Sequence, residues 1–273
     1  MFSSDFILDA KSIQKLSTCG LPSKLLKQQV GDDLDFLIEL WHAQGLEIVK
    51  KGENFYFATK FISIEDGEFC IVDIETNGSK IDKHQIIEIA AVKIKNMQII
   101  DKFESFVHCK EINHYITDIT GISAQDTQHA PNLKEVMYEF KKFLGDGVLV
   151  AHDAKFDYKF ISLSMQKIGL APLLNRSLCS LSLAERTIES YRYALSYLNK
   201  LFNLHPEARH HRAMSDVLTT YELFKLSVLK LDKTIKSVDE LIKFSKESKR
   251  LKRPKFDPFL EKELKEETED SSS

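Results

Sequence analysis

A regular alternation of apolar strands and amphipathic helices between residues 66 and 230 limits the fold of this 273-residue chain more than any other feature. Apolar runs that predict strands occupy residues 69–75, 86–94, 103–107 and 148–151. Apolar residues spaced by three and four predict helices at 133–144, from 156 onward, at 195–202 and at 213–228. Strands that come first and then alternate with helices predict a mixed sheet covered by helices, which is an α/β layer structure.

The segment before this region, residues 1–62, has a helix and a hairpin of its own. One helix face is formed by Leu34, Leu37, Ile38 and Trp41, after Asp32-Asp33 and before Gly45. Residues 46–49 and 55–58 flank the turn 51–54 and predict a β-hairpin. Helices followed by a hairpin resemble a winged-helix unit. Because the segment carries more acids than bases, we favour a structural or partner-docking role over the alternative, binding of nucleic acid.

The segment after the α/β region, residues 231–273, shows no pattern of a second core. It holds a basic run, formed by Lys246, Lys249, Arg250, Lys252, Arg253 and Lys255, and then an acidic stretch that ends in serines. We expect this charged tail to be solvated and largely disordered. The chain is thus divided into an accessory domain at 1–62, the α/β domain at 63–230 and the tail. We expect neither flank to supply a catalytic group.

Charge and cysteine usage exclude several classes of protein. Lys plus Arg number 38 and Asp plus Glu number 41, so the net charge of −3 argues against a chain that coats nucleic acid by bulk charge, although it leaves room for a local basic groove. No run approaches the roughly 18 apolar residues of a membrane helix, and no secretion signal opens the chain. Cys19, Cys70, Cys109 and Cys179 are too scattered for a disulfide framework, so we expect a cytoplasmic protein.

Two carboxylates lie at the end of the first predicted strand. Asp73 and Glu75 project on the same side of the strand, about 7 Å apart along the chain. Burying such a pair is costly unless a cation binds it, and Mg²⁺ or Mn²⁺ suits carboxylate oxygens best. The alternative is a strand end that has reached solvent with ordinary surface acids.

Two further groups of polar residues follow at the starts of predicted helices. Asp157 lies in the first turn of the helix after strand 148–151. His211 and Asp216 are five residues apart, and they converge only if His211 precedes the helix and folds back onto it. Each group alone has an ordinary explanation, since an acid in a first turn favours the helix dipole. Together and in order they indicate one site.

The three groups resemble the three motifs of the DnaQ-like, or DEDDh, 3′–5′ exonucleases, a family that includes the epsilon-type proofreading subunits of bacterial DNA polymerase III. The matching segments are Asp73-Ile74-Glu75, Ala151-His152-Asp153-Ala154-Lys155-Phe156-Asp157 and His211-Arg212-Ala213-Met214-Ser215-Asp216. The resemblance covers about residues 66–230 and implies a ribonuclease H-like mixed sheet. Two positions depart from the usual pattern: Asp153 stands where the family has Asn, and Asn77 stands where it has the second Thr of DxETTG.

The resemblance also implies roles for individual residues. Two divalent ions, Mg²⁺ or Mn²⁺, are expected to be held by Asp73, Glu75, Asp157 and Asp216, with Asp73 the central ligand. His211 is the expected general base, because a free imidazole titrates near pH 6.5, about where such a base must work. Thr76, Asn77 and Phe156 are candidates for gripping the terminal nucleotide.

The predicted function is therefore metal-dependent removal of nucleotides from DNA 3′ ends, in replication proofreading or repair. The expected substrate is a single-stranded or frayed DNA 3′ end, the expected protein partner is a replicative DNA polymerase subunit, and no membrane is involved. Two alternatives stay open. An exoribonuclease would use the same catalytic residues, because only contacts to the 2′-hydroxyl distinguish RNA. A non-catalytic polymerase or clamp adaptor would be expected to have lost some of the acids, and all are present.

Overall fold

Residues 8–62 form a unit in which three helices pack on a small antiparallel sheet; the computed structural model describes residues 8–31 and 33–259. Its elements are α1 (Ala10–Ser17), β1 (Leu21–Pro22), α2 (Ser23–Val30), α3 (Leu34–Ala43), β2 (Ile48–Lys51) and β3 (Asn54–Phe57). The strands pair antiparallel in the order β1-β3-β2. The predicted helix and hairpin are confirmed, and Asp32, proposed to open the helix, lies outside the described residues.

The rest of the described chain is built around a five-stranded mixed sheet. Its elements are β4 (Phe69–Thr76), β5 (Ile86–Lys95), β6 (Gln98–Phe106), α4 (His114–Thr120), α5 (Ala124–Thr127), α6 (Leu133–Leu144), β7 (Val148–Ala151), α7 (Ala154–Lys167), β8 (Ser177–Cys179), α8 (Ser180–Thr187), α9 (Leu195–Phe202), α10 (Ala213–Leu229) and α11 (Val238–Glu247). The strand order is β6-β5-β4-β7-β8. Strand β5 is antiparallel to both of its neighbours, β4 and β6, and β7 is parallel to both of its neighbours, β4 and β8. The predicted fold class, a mixed sheet flanked by helices, is confirmed.

Side chains of β4 alternate between two separate apolar cores, one on each face of the sheet. Cys70 and Val72 pack with residues of α6 and α7. Phe69 and Ile71 point to the other face, where they pack with residues of α10 and α11. The rings of Phe69 and Phe224 lie 5.1 Å apart between their centroids, so α10 is held directly against the middle of the sheet.

Strand β6 begins earlier than predicted. The apolar pattern predicted a strand at 103–107, whereas the structure places it at Gln98–Phe106. The reason is that β6 is an edge strand whose side chains are largely exposed, so its first half carries no apolar run. A tight turn at Asn96 and Met97, with φ of 52° and 55°, joins it to β5.

The segment predicted to be a solvated tail contains part of the core, which corrects the prediction for residues 238–259. Val238, Leu241 and Ile242 of α11 are buried against the sheet face that α10 also covers. The segment beyond α11 contacts Glu185 of α8. The backbone carbonyl of Glu185 accepts a hydrogen bond from the Leu251 amide at 2.8 Å, and its carboxylate forms an ion pair with Arg250 at 3.0 Å. The reading of the tail as charged and coreless overlooked the spacing of these three apolar residues. Residues 260–273 of the predicted tail lie outside the described residues.

The longest helix in the described part of the chain, α10, has 17 residues and lies on the central sheet. Across residues 8–31 and 33–259, no helix is both long enough and apolar enough to cross a membrane.

Substituting Leu241 tests the packing of α11. Leu241→Ala is expected to lower the free energy of unfolding by about 2–4 kcal/mol, because it empties a fully buried aliphatic position. Chemical denaturation measures the change. Lys243→Ala on the exposed side of the same helix is the control and should shift stability by less than about 0.5 kcal/mol. An equally small effect for Leu241→Ala would show that α11 is not part of the core.

Candidate active site

Two carboxylate side chains of β4 lie on the face of the strand that α10 covers. Asp73 and Glu75 continue the face of the strand that begins with Phe69 and Ile71, both buried under α10. Asp73 lies opposite Ala90 in β5, and Glu75 lies opposite Glu88. The two acids therefore occupy the carboxyl end of a buried strand, on the side covered by the first turn of α10.

The turn before α10 brings His211 back onto Asp216. His211 has a φ of 64°, in the left-handed region, and its backbone N–H donates to Asp216 Oδ2 at 2.9 Å. Asp216 is buried in the first turn of the helix. Side-chain donor atoms of Glu75, His211 and Asp216 all lie within 4.8 Å of one another. His211 therefore precedes the helix and folds back onto Asp216, as the sequence analysis required for the two residues to converge.

The fourth acid, Asp157, comes from the opposite face of the sheet. Strand β7 ends at Ala151, Asp153 adopts a φ of 69°, and α7 begins at the next residue, which leaves Asp157 buried in the first turn. Asn and Asp tolerate this left-handed conformation better than most residues, so Asp153 preserves the turn that the usual Asn of the family would make. The side chain of His152 is fixed beside it, with Ser180 Oγ at 3.0 Å and the Tyr193 carbonyl at 2.9 Å.

Burial and mutual repulsion raise the pKa values of three of these carboxyl groups. Burial raises the pKa of Asp73 well above its usual range, and the charges of Asp157 and then Glu75 raise it further. Burial, followed by the charge of Asp216, raises the pKa of Glu75 to about 8. Burial also raises the pKa of Asp157 to about 8, although backbone N–H groups that donate to its carboxylate oppose the shift. A bound cation would therefore favour the ionised forms of Asp73, Glu75 and Asp157.

The donor set fits divalent metal ions, which exonucleases of this kind generally use. Hard carboxylate oxygens from three elements and one imidazole meet at the same sheet end, and a bound cation would offset the repulsion among them. Five residues predicted as catalytic are thus brought together: Asp73, Glu75, Asp157, Asp216 and His211.

The three residues predicted to bind substrate differ in their exposure and in what their side chains contact. Thr76 ends β4, next to Glu75. Phe156 in α7 is 38% exposed, with its ring 5.5 Å from that of Phe160. The side chain of Asn77 is engaged within the protein: its Oδ1 accepts from the Gln85 amide at 2.8 Å, and its Nδ2 faces Cys109 Sγ at 3.4 Å. Asn77 therefore ties the β4–β5 loop to the segment after β6.

Sequence reasoning missed three residues that support the cluster. Glu88 is 1% exposed and binds Arg212, the residue that follows His211. His210 Nδ1 lies 3.1 Å from Asp216 Oδ1. The signal for Glu88 was present, since it is the one acid inside the otherwise apolar run at 86–92. Its partner in the third motif was not recognisable from sequence spacing.

The raised pKa values predict a pH dependence of stability in metal-free protein. Unfolded carboxyls titrate near pH 4, whereas Glu75 and Asp157 titrate near 8 when folded, so the unfolded state binds fewer protons between these values. Stability contributed by the protonated forms is present at about pH 4 and is lost as the pH rises through 8. We expect the unfolding free energy to fall by at least about 1 kcal/mol from pH 5 to 8.5, or roughly 2–4 °C in Tm.

Calorimetry in chelator measures this slope. Saturating Mg²⁺ should remove it, because a cation favours the ionised carboxylates. Glu75→Gln should reduce the slope without metal, because it removes one of the two groups that cause it, and Asp82→Asn, at an exposed acid, should leave the slope unchanged. A flat profile for the wild type would contradict the crowding of these groups.

Comparison with known proteins identifies relatives of the α/β region. The model of a family described as "Exonuclease" matches residues 70–224. That span contains the five clustered residues and all three motifs, so the resemblance inferred from the sequence is confirmed.

Two curated relatives are polymerases of bacteria. "DNA polymerase III PolC-type" of Caldanaerobacter subterraneus subsp. tengcongensis is 40% identical over 179 residues, which cover 64% of this chain and 13% of the relative. The protein of the same name from Halalkalibacterium halodurans is 37% identical over 180 residues, covering 64% of this chain and 12% of the relative. The matched region thus spans about one eighth of the length of these relatives.

Solved structures of E. coli exonuclease I share the fold. The complex with a dT13 oligonucleotide aligns with a TM-score of 0.56 and 15% identity, over 60% of this chain and 42% of that chain. The complex with a dA16 oligonucleotide aligns with a TM-score of 0.56 and 16% identity, over 60% of this chain and 41% of that chain. At this level of identity the likeness concerns the fold alone.

Proposed function

Because the chain belongs to the exonuclease family, we propose that it hydrolyses phosphodiester bonds at DNA 3′ ends, one nucleotide at a time, in a metal-dependent reaction. The observation that carries the proposal is the convergence of Asp73, Glu75, Asp157, Asp216 and His211 at one end of the sheet. A site that binds no metal would not be expected to retain four carboxylates whose proximity is costly.

The substrate proposed is a single-stranded or frayed DNA 3′ end, and the process proposed is replication proofreading or repair. Support comes from the relatives, which are named as DNA polymerases, and from exonuclease I, which was solved with DNA oligonucleotides. A replicative DNA polymerase subunit is the proposed protein partner, and the cytoplasm the proposed location. No observation favours RNA as the substrate.

Two Mg²⁺ or Mn²⁺ ions are the proposed cofactors, held by Asp73, Glu75, Asp157 and Asp216. When bound, such ions neutralise charge on the phosphate and acidify water. The protein contributes preorganisation, since each carboxylate is fixed by a strand end or a first helical turn before the substrate arrives.

His211 is proposed to act as the general base. Its side chain is exposed, while its backbone N–H is tied to Asp216, so the ring is free to meet a water molecule over the cluster. An imidazole nitrogen takes a proton from this water as the new oxygen–phosphorus bond forms. The bond from phosphorus to the 3′-oxygen of the preceding nucleotide breaks, this oxygen takes a proton from solvent water to become a 3′-hydroxyl, and a nucleoside 5′-monophosphate leaves.

Contacts to the terminal nucleotide are proposed for Thr76, Asn77 and Phe156. The exposed ring of Phe156 offers a face on which a base can stack. Thr76 lies beside the carboxylates at the end of β4. Because the side chain of Asn77 is already engaged, its contribution is to shape the loop under the nucleotide.

Digestion of a 5′-labelled single-stranded DNA oligomer tests reaction, direction and cofactor together. We expect a descending ladder of labelled products with Mg²⁺ or Mn²⁺ and none with EDTA or with Asp73→Ala. Immediate release of labelled mononucleotide would reverse the direction. A faster ladder from a matched RNA oligomer would make the protein an exoribonuclease instead.

Replacing His211 tests the general base. His211→Ala is expected to lower kcat by roughly 10²–10⁴, the usual cost of losing such a group. Mn²⁺ affinity, measured by calorimetric titration, should stay within about threefold of the wild type, because the base is not proposed as a ligand. His129→Ala, at an exposed histidine outside the cluster, is the control and should leave both values unchanged. A large loss of Mn²⁺ affinity would make His211 a metal ligand rather than a base.

A further inference from the structure

We infer that Glu88, together with Arg212, is a positioning residue that holds His211 and Asp216 in their working geometry. The inference deepens the proposed function and rests on it. Glu88 belongs to β5 and lies opposite Glu75 in the sheet, yet neither of its oxygens points to a free site. Both are used on the two residues that follow His211.

The hydrogen bonds of Glu88 fasten the start of α10 to the sheet. One oxygen, Oε1, accepts from Arg212 Nη2 at 2.9 Å, and the other, Oε2, accepts from the backbone N–H of Ala213 at 3.0 Å. Ala213 is the first residue of α10, whose opening amides have no partner within the helix. The cap of this helix is thus supplied by a carboxylate 125 residues earlier in the chain rather than by the preceding side chain.

A tertiary anchor is needed here because the turn is unfavourable on its own. His211 has a φ of 64°, which a histidine adopts only when its surroundings compel it. Arg212 then returns to extended backbone, with φ of −127° and ψ of 119°. Fixing Arg212 and Ala213 fixes the residue before them, so the amide of His211 stays within reach of Asp216.

The charge of Arg212 gives the pair a second effect. Without Arg212, Glu88 would be a further buried carboxylate opposite Glu75, and its charge would repel that of Glu75. Pairing with Arg212 keeps Glu88 out of the metal-binding set. The guanidinium also lies 5.6 Å from the ring centroid of Phe106, at the end of β6, so a second strand contacts it.

Kinetics of Glu88→Gln test the inference. We expect kcat to fall by about 10–100-fold, the range for loss of a group that orients a ligand, while KM for a short DNA oligomer changes by less than about threefold. Arg212→Lys should recover part of the rate lost in Arg212→Gln. The double variant Glu88→Gln, Arg212→Gln should be no slower than its slower parent, because the two residues act as one unit.

A matched control separates positioning from general loss of stability. Asp239→Asn breaks another ion pair of a buried carboxylate, with Arg176, away from the carboxylate cluster. It should lower Tm while leaving kcat unchanged. If Glu88→Gln keeps kcat within about twofold, if the two losses multiply in the double variant, or if Asp239→Asn slows catalysis equally, the inference is overturned.

Hydrogen exchange gives a readout that requires no activity. The amide hydrogen of His211 is bonded to Asp216, and its exchange should accelerate at least about tenfold in Glu88→Gln but not in Asp239→Asn. Unchanged exchange would refute the positioning role even in an active enzyme. If exchange accelerates in Glu88→Gln but the wild-type protein cleaves no DNA, the proposed function is refuted and the structural inference stands.

Discussion

Repulsion among carboxylates at the end of β4 is the constraint on which the rest of this molecule depends. Half-buried Asp73 is surrounded by the charges of Asp157, Glu75 and Asp216. No local sequence could hold such a cluster, because each acid separately would move toward solvent. The acids stay together because β4, α7 and α10 are each fixed by apolar packing elsewhere along their length.

The carboxylate cluster interrupts the apolar core only at the carboxyl end of β4. The sheet has an apolar core on both faces, and β4, at its centre, contributes alternate side chains to each. Asp73 and Glu75 take the last two positions on one face, where the core gives way to the first turn of α10. Helix α11 extends the same core at the far end of α10, which is why a charged segment outside the motif region matters to the stability of the frame.

Local patterns in the sequence predicted the elements whose burial is regular. Strands β4, β5 and β7 and helices α6, α7, α9 and α10 carry apolar periods that can be read without a structure. The start of β6 could not be predicted in this way, because an exposed edge strand needs no apolar residues. Helix α11 could have been found, since Ser237 and Glu240 form a capping box before its apolar residues.

The residues of the site also fall into those that a local sequence pattern marks and those that it does not. Spacing and motif resemblance identified the four acids and His211, because these residues follow strand ends and helix starts that are visible in the sequence. The roles of Glu88 and Asn77 could not be predicted, since both depend on partners that are distant in the chain. Arg212 was in view within a motif, but only its 2.9 Å contact with Glu88 shows what it does.

The accessory unit supplies none of the clustered residues, yet it contacts the segment that leads into the edge strand β8. Leu174 is buried in the core of the accessory unit, and its amide donates to the Gln44 carbonyl at 3.2 Å. The chain then enters β8, three residues long and at the edge of the sheet, and continues to Ser180, whose hydroxyl contacts His152. So short an edge strand has little stability of its own. Packing of the accessory unit on Leu174 therefore fixes the start of β8.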